Sequence, residues 1–233
     1  MSAMPKPARF DNIGELVTLL GVAPHRIRAD PPPGQATEKD VIAIHDHTDR
    51  LYELVDGVLV EKIMSFPDSA LTCDLIKMLG NFLDQHPVGF LTGPDGAVRL
   101  MPGLVRIPDI SFIAWDQLPK RQRPTDPIAG LAPALAVEVL SKGNTKREMD
   151  RKVREYFLCG VRCVWLVSLA SRTVKVFNAP DQSVTLTEDQ TLDGGEVLPG
   201  LALALRRVFA EVPVGPKPAG RAKKKPRRSN GSA

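Results

Sequence analysis

Hydrophobic and polar residues alternate along two short runs on either side of Asp56-Gly57, LYELV before it and VLVEKI after it. Alternation with a period of two is typical of a half-buried strand, and Asp-Gly is a strong signal for a two-residue hairpin turn. The pattern therefore predicts a β-hairpin that begins at Leu51. A second hairpin turn is predicted around Pro94-Asp95-Gly96.

Two segments instead carry apolar residues at helical intervals. In residues 69–84 these are Leu71, Leu75, Ile76, Leu79 and Leu83. Residues 145–159 repeat the pattern and stop at Gly160, a residue type that commonly follows the last turn of a helix. Each spacing predicts an amphipathic helix with one face on a core.

Further strands are predicted where β-branched and aromatic residues cluster. They lie at residues 98–101, 105–114, 134–140, 162–168, 173–178 and 183–187. The order of elements is a hairpin, a helix, a central group of strands, a second helix and more strands, which is typical of an α/β domain. We therefore expect a mixed sheet flanked by helices.

The two ends of the chain differ in composition from this middle part. Residues 1–48 contain a helical pattern at 11–20 and then several prolines, and are interpreted as an amino-terminal extension with one short helix. Residues 49–211 form the predicted domain. Residues 212–233 are rich in Pro, Gly, Lys and Arg and are interpreted as a disordered basic tail, because they cannot bury enough apolar surface to fold.

The tail accounts for the basic balance of the chain. The sequence has 31 Lys and Arg against 27 Asp and Glu, and residues 212–233 hold seven of the basic residues and no acid, so the remainder has 24 against 27, a balance of −3. Such tails commonly bind nucleic acid through its phosphates, and an alternative is that the tail only aids solubility. The tail residues expected to bind DNA are Arg221, Lys223, Lys224, Lys225, Arg227 and Arg228.

Several classes of protein are disfavoured by the sequence. No run approaches the ~18 consecutive apolar residues needed to cross a bilayer, and the amino terminus lacks the apolar segment of a secretory signal, so we expect a cytoplasmic protein. The three cysteines, an odd number, are interpreted as reduced thiols. The motifs of P-loop, Rossmann and α/β-hydrolase enzymes do not occur.

Two acids interrupt apolar strands. Asp109 lies within residues 105–114, and Glu138 lies within the most apolar strand, residues 134–140. Carboxylates are rarely buried without a partner, and either acid alone is better explained by an ion pair. Together, two acids on neighbouring strands form the minimal oxygen cage for Mg²⁺ or Mn²⁺.

A lysine near such a cage could stabilise charge on a scissile phosphate. The simplest arrangement would place it two residues after Glu138, but that position is Leu140. The alternatives are Lys142, beyond the strand, and Lys152, which flanks the apolar stripe of the following helix and could reach back over the sheet. Lys152 is favoured.

With these residues the chain resembles the PD-(D/E)XK nuclease superfamily and, within it, the Uma-two family of putative restriction endonucleases. Pro108-Asp109 looks like the PD motif, and EVLSKGNT from Glu138 looks like the acidic segment. The resemblance runs from YELVDG at Tyr52 to about Phe177 and includes KVREYFLCGVRCVWLV. The chain departs from the family at Lys142-Gly143, where Pro-Ser is usual, and at Ser168, where Asp is common.

The resemblance implies a metal-dependent endonuclease that hydrolyses DNA phosphodiester bonds. Asp109 and Glu138 would bind Mg²⁺ or Mn²⁺ with the backbone carbonyl of Val139 as a third ligand. In this family the lysine is thought to have moved from the strand to the helix, which implies Lys152. Glu53 matches a recurrent family glutamate and is a further candidate, although pairing with Arg50, Arg106 or Lys62 is an equal alternative.

Two questions stay open at this level. The alternative function is a non-catalytic nucleic-acid-binding or interaction protein that keeps the nuclease fold. Retention of Asp109, Glu138 and Lys152 favours catalysis. A nuclease that cuts both strands of DNA often works as a dimer, so a homodimer is the expected assembly if both strands are cut.

Overall fold

The computed structural model describes residues 10–48 and 50–210. Five α-helices lie in these residues, α1 (Ile13–Leu20), α2 (Glu38–Thr48), α3 (Phe66–Gln85), α4 (Lys146–Leu158) and α5 (Leu205–Ala210). The strands are β1 (Tyr52–Val55), β2 (Val58–Glu61), β3 (Gly89–Thr92), β4 (Val98–Met101), β5 (Leu104–Arg106), β6 (Ile110–Ala114), β7 (Leu135–Leu140), β8 (Cys163–Ser168), β9 (Thr173–Ala179), β10 (Gln182–Thr187), β11 (Thr191–Asp193) and β12 (Ala202–Ala204). Short 3₁₀ turns lie at Pro24–Arg26, Trp115–Gln117 and Pro119–Arg121.

The strands form three sheets. The largest has the order β10-β9-β8-β7-β6-β3, in which β7 and β8 are parallel and the other pairs are antiparallel. A four-stranded antiparallel sheet has the order β2-β1-β5-β4, and β11 pairs with β12. The fold is mixed α/β, as the order of elements predicts.

Helices cover both faces of the six-stranded sheet. On one face, Leu71, Leu75 and Leu79 of α3 pack against Leu135 and Val137 of β7. On the other face, α4 packs through an apolar stripe, Met149, Val153 and Tyr156, against Ala136, Val164 and Leu166. Because side chains alternate along β7, the face toward α4 is the one that carries Glu138.

The predicted strand at residues 105–114 is wrong as a single element. The chain pairs with β1 and β4 up to Arg106 and with β3 and β7 from Ile110, so it passes from the four-stranded sheet to the six-stranded sheet in between. Pro108 lies at this crossing, and because proline has no N–H it cannot continue a strand ladder. The crossing brings Asp109 to the junction of the two sheets.

The hairpin predicted at Pro94-Asp95-Gly96 is also wrong. β3 and β4 lie on either side of this turn but belong to different sheets, so they do not pair with each other. The hairpin at Asp56-Gly57 is confirmed, with β1 and β2 in antiparallel register. Asp56 and Gly57 both have positive φ angles, 52° and 74°, as a tight hairpin turn between right-twisted strands favours.

The amino-terminal extension holds two helices where one was predicted. Asn12 caps α1 by accepting a hydrogen bond from the Glu15 N–H. The additional helix, α2, packs Val41 and Ile44 on Tyr52 and Leu54 of β1. Its mixed charged sequence, EKDVIAIHDHT, has too narrow an apolar stripe to stand out as a pattern.

The helices and the cysteines can be compared with what the sequence predicts about membranes and thiols. None of the helices in the described residues combines the length and apolar composition needed to cross a bilayer. Cys73, Cys159 and Cys163 are free thiols, with Cys163 buried on β8.

Candidate active site

Asp109 and Glu138 lie on the same face of the six-stranded sheet. Ile110 is opposite Val137 and Ser111 is opposite Ala136, so the register places Asp109 opposite Glu138, on the side of α4. Both side chains are buried, with relative exposures of 4% and 5%. Asp109 also closes the end of the ladder, because its Oδ2 accepts a 2.6 Å hydrogen bond from the Val139 N–H.

Lys152 reaches Glu138 from α4. Its Nζ lies 3.1 and 3.2 Å from the two carboxylate oxygens of Glu138, and Tyr156, one turn further along the helix, donates a 2.5 Å hydrogen bond to Oε1. Lys152 is 3% exposed and stands on a helix that begins at a Thr145 cap. The ammonium is therefore held in place by packing and by charge.

The four-stranded sheet supplies Glu53 from β1. Glu53 is opposite Val60 in the hairpin, and continuing the β1–β5 register places it opposite Arg106. Its Oε1 accepts from Lys152 at 2.9 Å and from the Ile107 N–H at 3.2 Å, and its Oε2 accepts from Arg106 at 2.7 Å. Glu53 thus joins the four-stranded sheet to α4, and both of its oxygens are engaged by cations.

Arg106 extends the cluster toward the other side of α4. It pairs with Glu155 through both Nε and Nη2, and Glu155 in turn accepts from Arg151 at 2.6 Å. Arg151 also contacts Asp56 in the hairpin turn at 2.6 Å. This chain of ion pairs fixes the hairpin against the helix that carries Lys152.

Lys62 is a site residue that the sequence analysis named only as a partner for Glu53. It follows β2, and its Nζ lies 2.7 Å from Oδ1 of Asp109 and donates to the Ile107 carbonyl. A signal was available, because the Asp56-Gly57 turn fixes a register in which positions 53, 60 and 62 share one face. Arg106, which the sequence suggested only as a partner for Glu53, and Tyr156 were missed as site residues because tertiary contacts set their neighbours.

Burial and charge act in opposite directions on the acids of the site. Burial tends to raise the pKa of Glu53, but Lys152, Arg106 and Lys62 outweigh it and hold that pKa well below its ordinary value. Burial raises the pKa of Glu138, and Lys152 and Lys62 offset it only in part. Two carboxylates on one cation cluster therefore differ in proton affinity.

The pKa values of the other groups follow from the same contacts. Burial alone would lower the pKa of Lys152, but the Glu138 and Glu53 carboxylates raise it above its ordinary value. Burial and the Glu138 charge raise the pKa of Tyr156. Lys152 is therefore an ammonium and Tyr156 a neutral hydrogen-bond donor at neutral pH.

The donor atoms suit a hard divalent cation. Asp109 and Glu138 present carboxylate oxygens on one face, and in an extended strand the Val139 carbonyl points to the same edge as its N–H, which faces Asp109. The Lys62 ammonium already sits between Asp109 and a carbonyl oxygen. Within the described residues no group of three or more His, Cys, Asp or Glu side chains is arranged to hold a metal ion. The candidate set is therefore limited to two carboxylates and a carbonyl, and Mg²⁺ is the ion that commonly binds through one or two carboxylates and keeps several waters.

An open cavity of about 990 Å³ is formed by segments next to those that carry the cluster. It is lined by residues adjacent in sequence to the site, including Ile63, Leu140 and Met149, and by the basic side chains of His25, Arg26, Lys142, Lys146 and Lys175. Lys142 is exposed at its rim, so the structure places Lys152 and not Lys142 beside the acids.

The tail residues Arg221, Lys223, Lys224, Lys225, Arg227 and Arg228 lie outside the described residues. The remaining candidates, Glu53, Asp109, Glu138, Val139 and Lys152, are brought together at the sheet junction. The arrangement sets carboxylate and carbonyl oxygens that could hold a cation beside a fixed ammonium, a combination that can stabilise negative charge on a phosphate ester.

Comparisons with known proteins bear on the fold and the family of the chain. The fold is similar to a crystal structure from Anabaena variabilis described as a "putative nuclease", with a TM-score of 0.63 and 18% sequence identity over 71% of this chain and 93% of that chain. No curated protein matches the chain. The Uma2 family model, described as "Putative restriction endonuclease", matches residues 39–206, which is more than half of the chain. The chain therefore belongs to the Uma2 family of restriction-endonuclease-like proteins.

Proposed function

We propose that this protein is a metal-dependent endonuclease of the PD-(D/E)XK type that hydrolyses phosphodiester bonds in DNA. The observation that carries the proposal is the buried Lys152 ammonium, shared between Glu138 and Glu53 on the face to which Asp109 belongs. Three carboxylates and three cations lie together in this cluster, which is more than a single structural ion pair would need.

Asp109, Glu138 and the Val139 carbonyl would hold Mg²⁺ or Mn²⁺. When bound, the ion supplies positive charge to the scissile phosphate and lowers the pKa of water. Lys152 contributes a fixed positive charge where negative charge develops on the phosphate. Glu53 holds the Lys152 ammonium in place, and Tyr156 holds Glu138, the acid partner of Lys152. A preorganised charge of this kind costs no rearrangement during the reaction.

DNA is the proposed partner because the cavity and the tail both offer cations. Lys142, Lys146 and Lys175 line the cavity together with the acids Asp68 and Asp150, and residues 212–233 add seven Lys and Arg. Contacts of this kind go to phosphates and give affinity without reading the sequence. A homodimer is proposed for cleavage of both strands, and light scattering of the protein alone and with duplex DNA measures it.

The proposal is tested by incubating the purified full chain with plasmid, single-stranded DNA and RNA, each with Mg²⁺, Mn²⁺ or EDTA. We expect nicked and then linear plasmid with either metal and none with EDTA. Glu138→Gln, which keeps the size of the side chain, is the matched inactive variant. DNA binding without cleavage under every condition would instead support a non-catalytic binding protein that keeps the nuclease fold.

A further inference from the structure

Lys62 is held differently from the other two cations of the site. Arg106 contacts two carboxylates, Glu53 and Glu155, and Lys152 contacts Glu53 and Glu138. Lys62 contacts one carboxylate, Asp109, and the carbonyl of Ile107. Of the three cations, Lys62 would therefore lose the fewest ion pairs if its ammonium left the cluster.

The position of Lys62 also allows its head group to move. It lies just beyond the end of β2, with its backbone anchored through its N–H to the Leu51 carbonyl at 2.9 Å. Its side chain is 9% exposed, and the next residue, Ile63, is 52% exposed and lines the open cavity. Lys62 is not itself among the residues that line this cavity, so reaching it takes a rotation of the four-carbon stem about this anchor, away from Asp109.

Charge balance gives a reason for the movement. The inner cluster pairs three acids with three cations, namely Glu53, Asp109, Glu138, Lys62, Arg106 and Lys152. Entry of a divalent cation beside Asp109 would leave a buried excess of two positive charges, which is costly in a low-dielectric site. If the Lys62 ammonium turns into the cavity, it leaves the buried cluster and can meet a phosphate there.

We propose that Lys62 is an exchangeable counter-ion that holds Asp109 until a divalent cation binds and then turns to a phosphate of the DNA. The inference rests on the proposed metal-dependent function. In this role Lys62 positions a phosphate. Metal binding and DNA binding are then coupled, because the charges of two phosphodiesters balance the two positive charges that the metal adds to the site. By linkage the coupling is reciprocal, so each ligand raises the affinity for the other.

The direct test is the reactivity of lysine amines in the unmodified protein. The full chain is treated briefly with an acylating reagent without metal, with Mg²⁺, and with Mg²⁺ plus an uncleavable phosphorothioate duplex, and each lysine is quantified by mass spectrometry. We expect acylation of Lys62 to rise several-fold with Mg²⁺ and to fall again with DNA. Lys152 should stay protected throughout, and the exposed Lys142 should react equally with and without Mg²⁺.

Calorimetry with Mn²⁺ on the same samples separates the counter-ion role of Lys62 from the proposed metal dependence. If Mn²⁺ binds but the reactivity of Lys62 does not change, the counter-ion role is overturned and the metal site remains. If neither wild type nor Lys62→Gln binds Mn²⁺, the metal dependence itself is overturned, and the role of Lys62 with it.

A variant pair gives a second readout that does not depend on cleavage. Lys62→Gln keeps a donor for Asp109 and the Ile107 carbonyl but removes the competing charge. We expect it to bind Mn²⁺ about tenfold more tightly than wild type, because the binding-competent state no longer has to displace an ammonium. Lys142→Gln is the matched control and should bind Mn²⁺ as wild type does. Weaker or equal Mn²⁺ binding by folded Lys62→Gln would contradict the proposal.

Discussion

The ammonium of Lys152 lies 3.1 and 3.2 Å from the two carboxylate oxygens of Glu138, although one residue stands on α4 and the other on β7. The same ammonium is 2.9 Å from Glu53 on β1. All three side chains are buried. Lys152 is therefore the point at which the helix and the two sheets meet, and removing it should affect both catalysis and stability.

Lys152→Met should lower the rate of DNA cleavage on the order of 10²-fold or more, because a fixed charge near the phosphate is lost. The substitution also leaves Glu138 and Glu53 short of a partner, so the free energy of unfolding should fall by about 3 kcal/mol. Denaturant unfolding and plasmid cleavage measure the two effects. Because Lys152 is buried, we expect its substitution to lower stability as well as activity.

Lys142→Met is the matched control for this substitution. Lys142 is exposed at the rim of the cavity, so we expect nearly unchanged stability and a small loss of activity at most. The assignment would be wrong if Lys152→Met folded and cleaved normally while Lys142→Met was inactive. In that case the lysine at the strand end would serve the site.

The sequence predicts elements well where one local pattern decides the outcome. The Asp56-Gly57 hairpin and the two long helices follow from period and turn chemistry, and α3 and α4 lie within three residues of the predicted bounds. The two acids on apolar strands also stand out, because burial makes a carboxylate conspicuous. These signals need no knowledge of distant parts of the chain.

Features that depend on which strands become neighbours could not be predicted. Residues 105–114 are continuous in hydrophobicity, yet the chain changes sheets at Pro108, and only the partners of each half reveal it. The hairpin register places Lys62 on the face of Glu53, but its contact with Asp109, 47 positions away in sequence, depends on how the hairpin packs against the sheet junction. Local propensity carries no information about such pairings.

Asp109→Asn should weaken Mn²⁺ binding by at least about tenfold, since an amide oxygen replaces a charged ligand. The amide still accepts the hydrogen bond from the Val139 N–H, so β7 should keep its position. Calorimetry with Mn²⁺ measures the affinity. Asp150→Asn is the control, because Asp150 only pairs with the exposed Lys146, and unchanged affinity in Asp109→Asn would remove Asp109 from the metal site.

Glu53→Gln should change the pH dependence of stability. The pKa of Glu53 in the folded protein is below its ordinary value of 4.5, so the unfolded chain takes up a proton first and the stabilising effect is lost as pH falls from about 5. The variant lacks this effect. It should be less stable than wild type by about 3 kcal/mol at neutral pH, and the difference should shrink in acid.

Chemical denaturation of both proteins from about pH 7 down to about pH 3 follows this difference. Glu196→Gln is the control, because Glu196 is exposed and is not one of the acids that pair with Lys152 or Arg106. A constant gap between wild type and Glu53→Gln across the range would show that the carboxylate has no lowered pKa in the folded state.

Arg26 should be essential for stability, because it fixes the amino-terminal extension to the domain. Its guanidinium pairs with Glu148 of α4 at 2.8 and 2.9 Å and donates to the Glu61 carbonyl, and both charged side chains are buried. Arg26→Leu leaves Glu148 unpaired and should cost about 3–5 kcal/mol of unfolding free energy. Arg154→Leu, at an exposed position on α4, should have little effect, and equal effects would mean that the buried pair contributes nothing special.

Removal of residues 212–233 should weaken DNA binding without affecting folding. Replacement of Arg221, Lys223, Lys224, Lys225, Arg227 and Arg228 by Gln is the matched variant, which keeps the length of the tail. Both changes should lower affinity most at low salt and flatten the dependence of log affinity on log salt, because fewer counterions are released. Fluorescence anisotropy with labelled duplex measures the slope, and an unchanged slope would leave solubility as the role of the tail.

The parallel pairing of β7 with β8 across α4 bears on the order in which the chain folds. Glu138 and Lys152 are 14 residues apart, whereas Glu53 and Lys152 are 99 apart. Closing a short loop costs less chain entropy than closing a long one, so the strand–helix–strand unit can form before the amino-terminal hairpin docks. In that order of folding, Glu138 would already have its counter-ion, and docking of the hairpin would add Glu53 and Lys62 to a neutralised core.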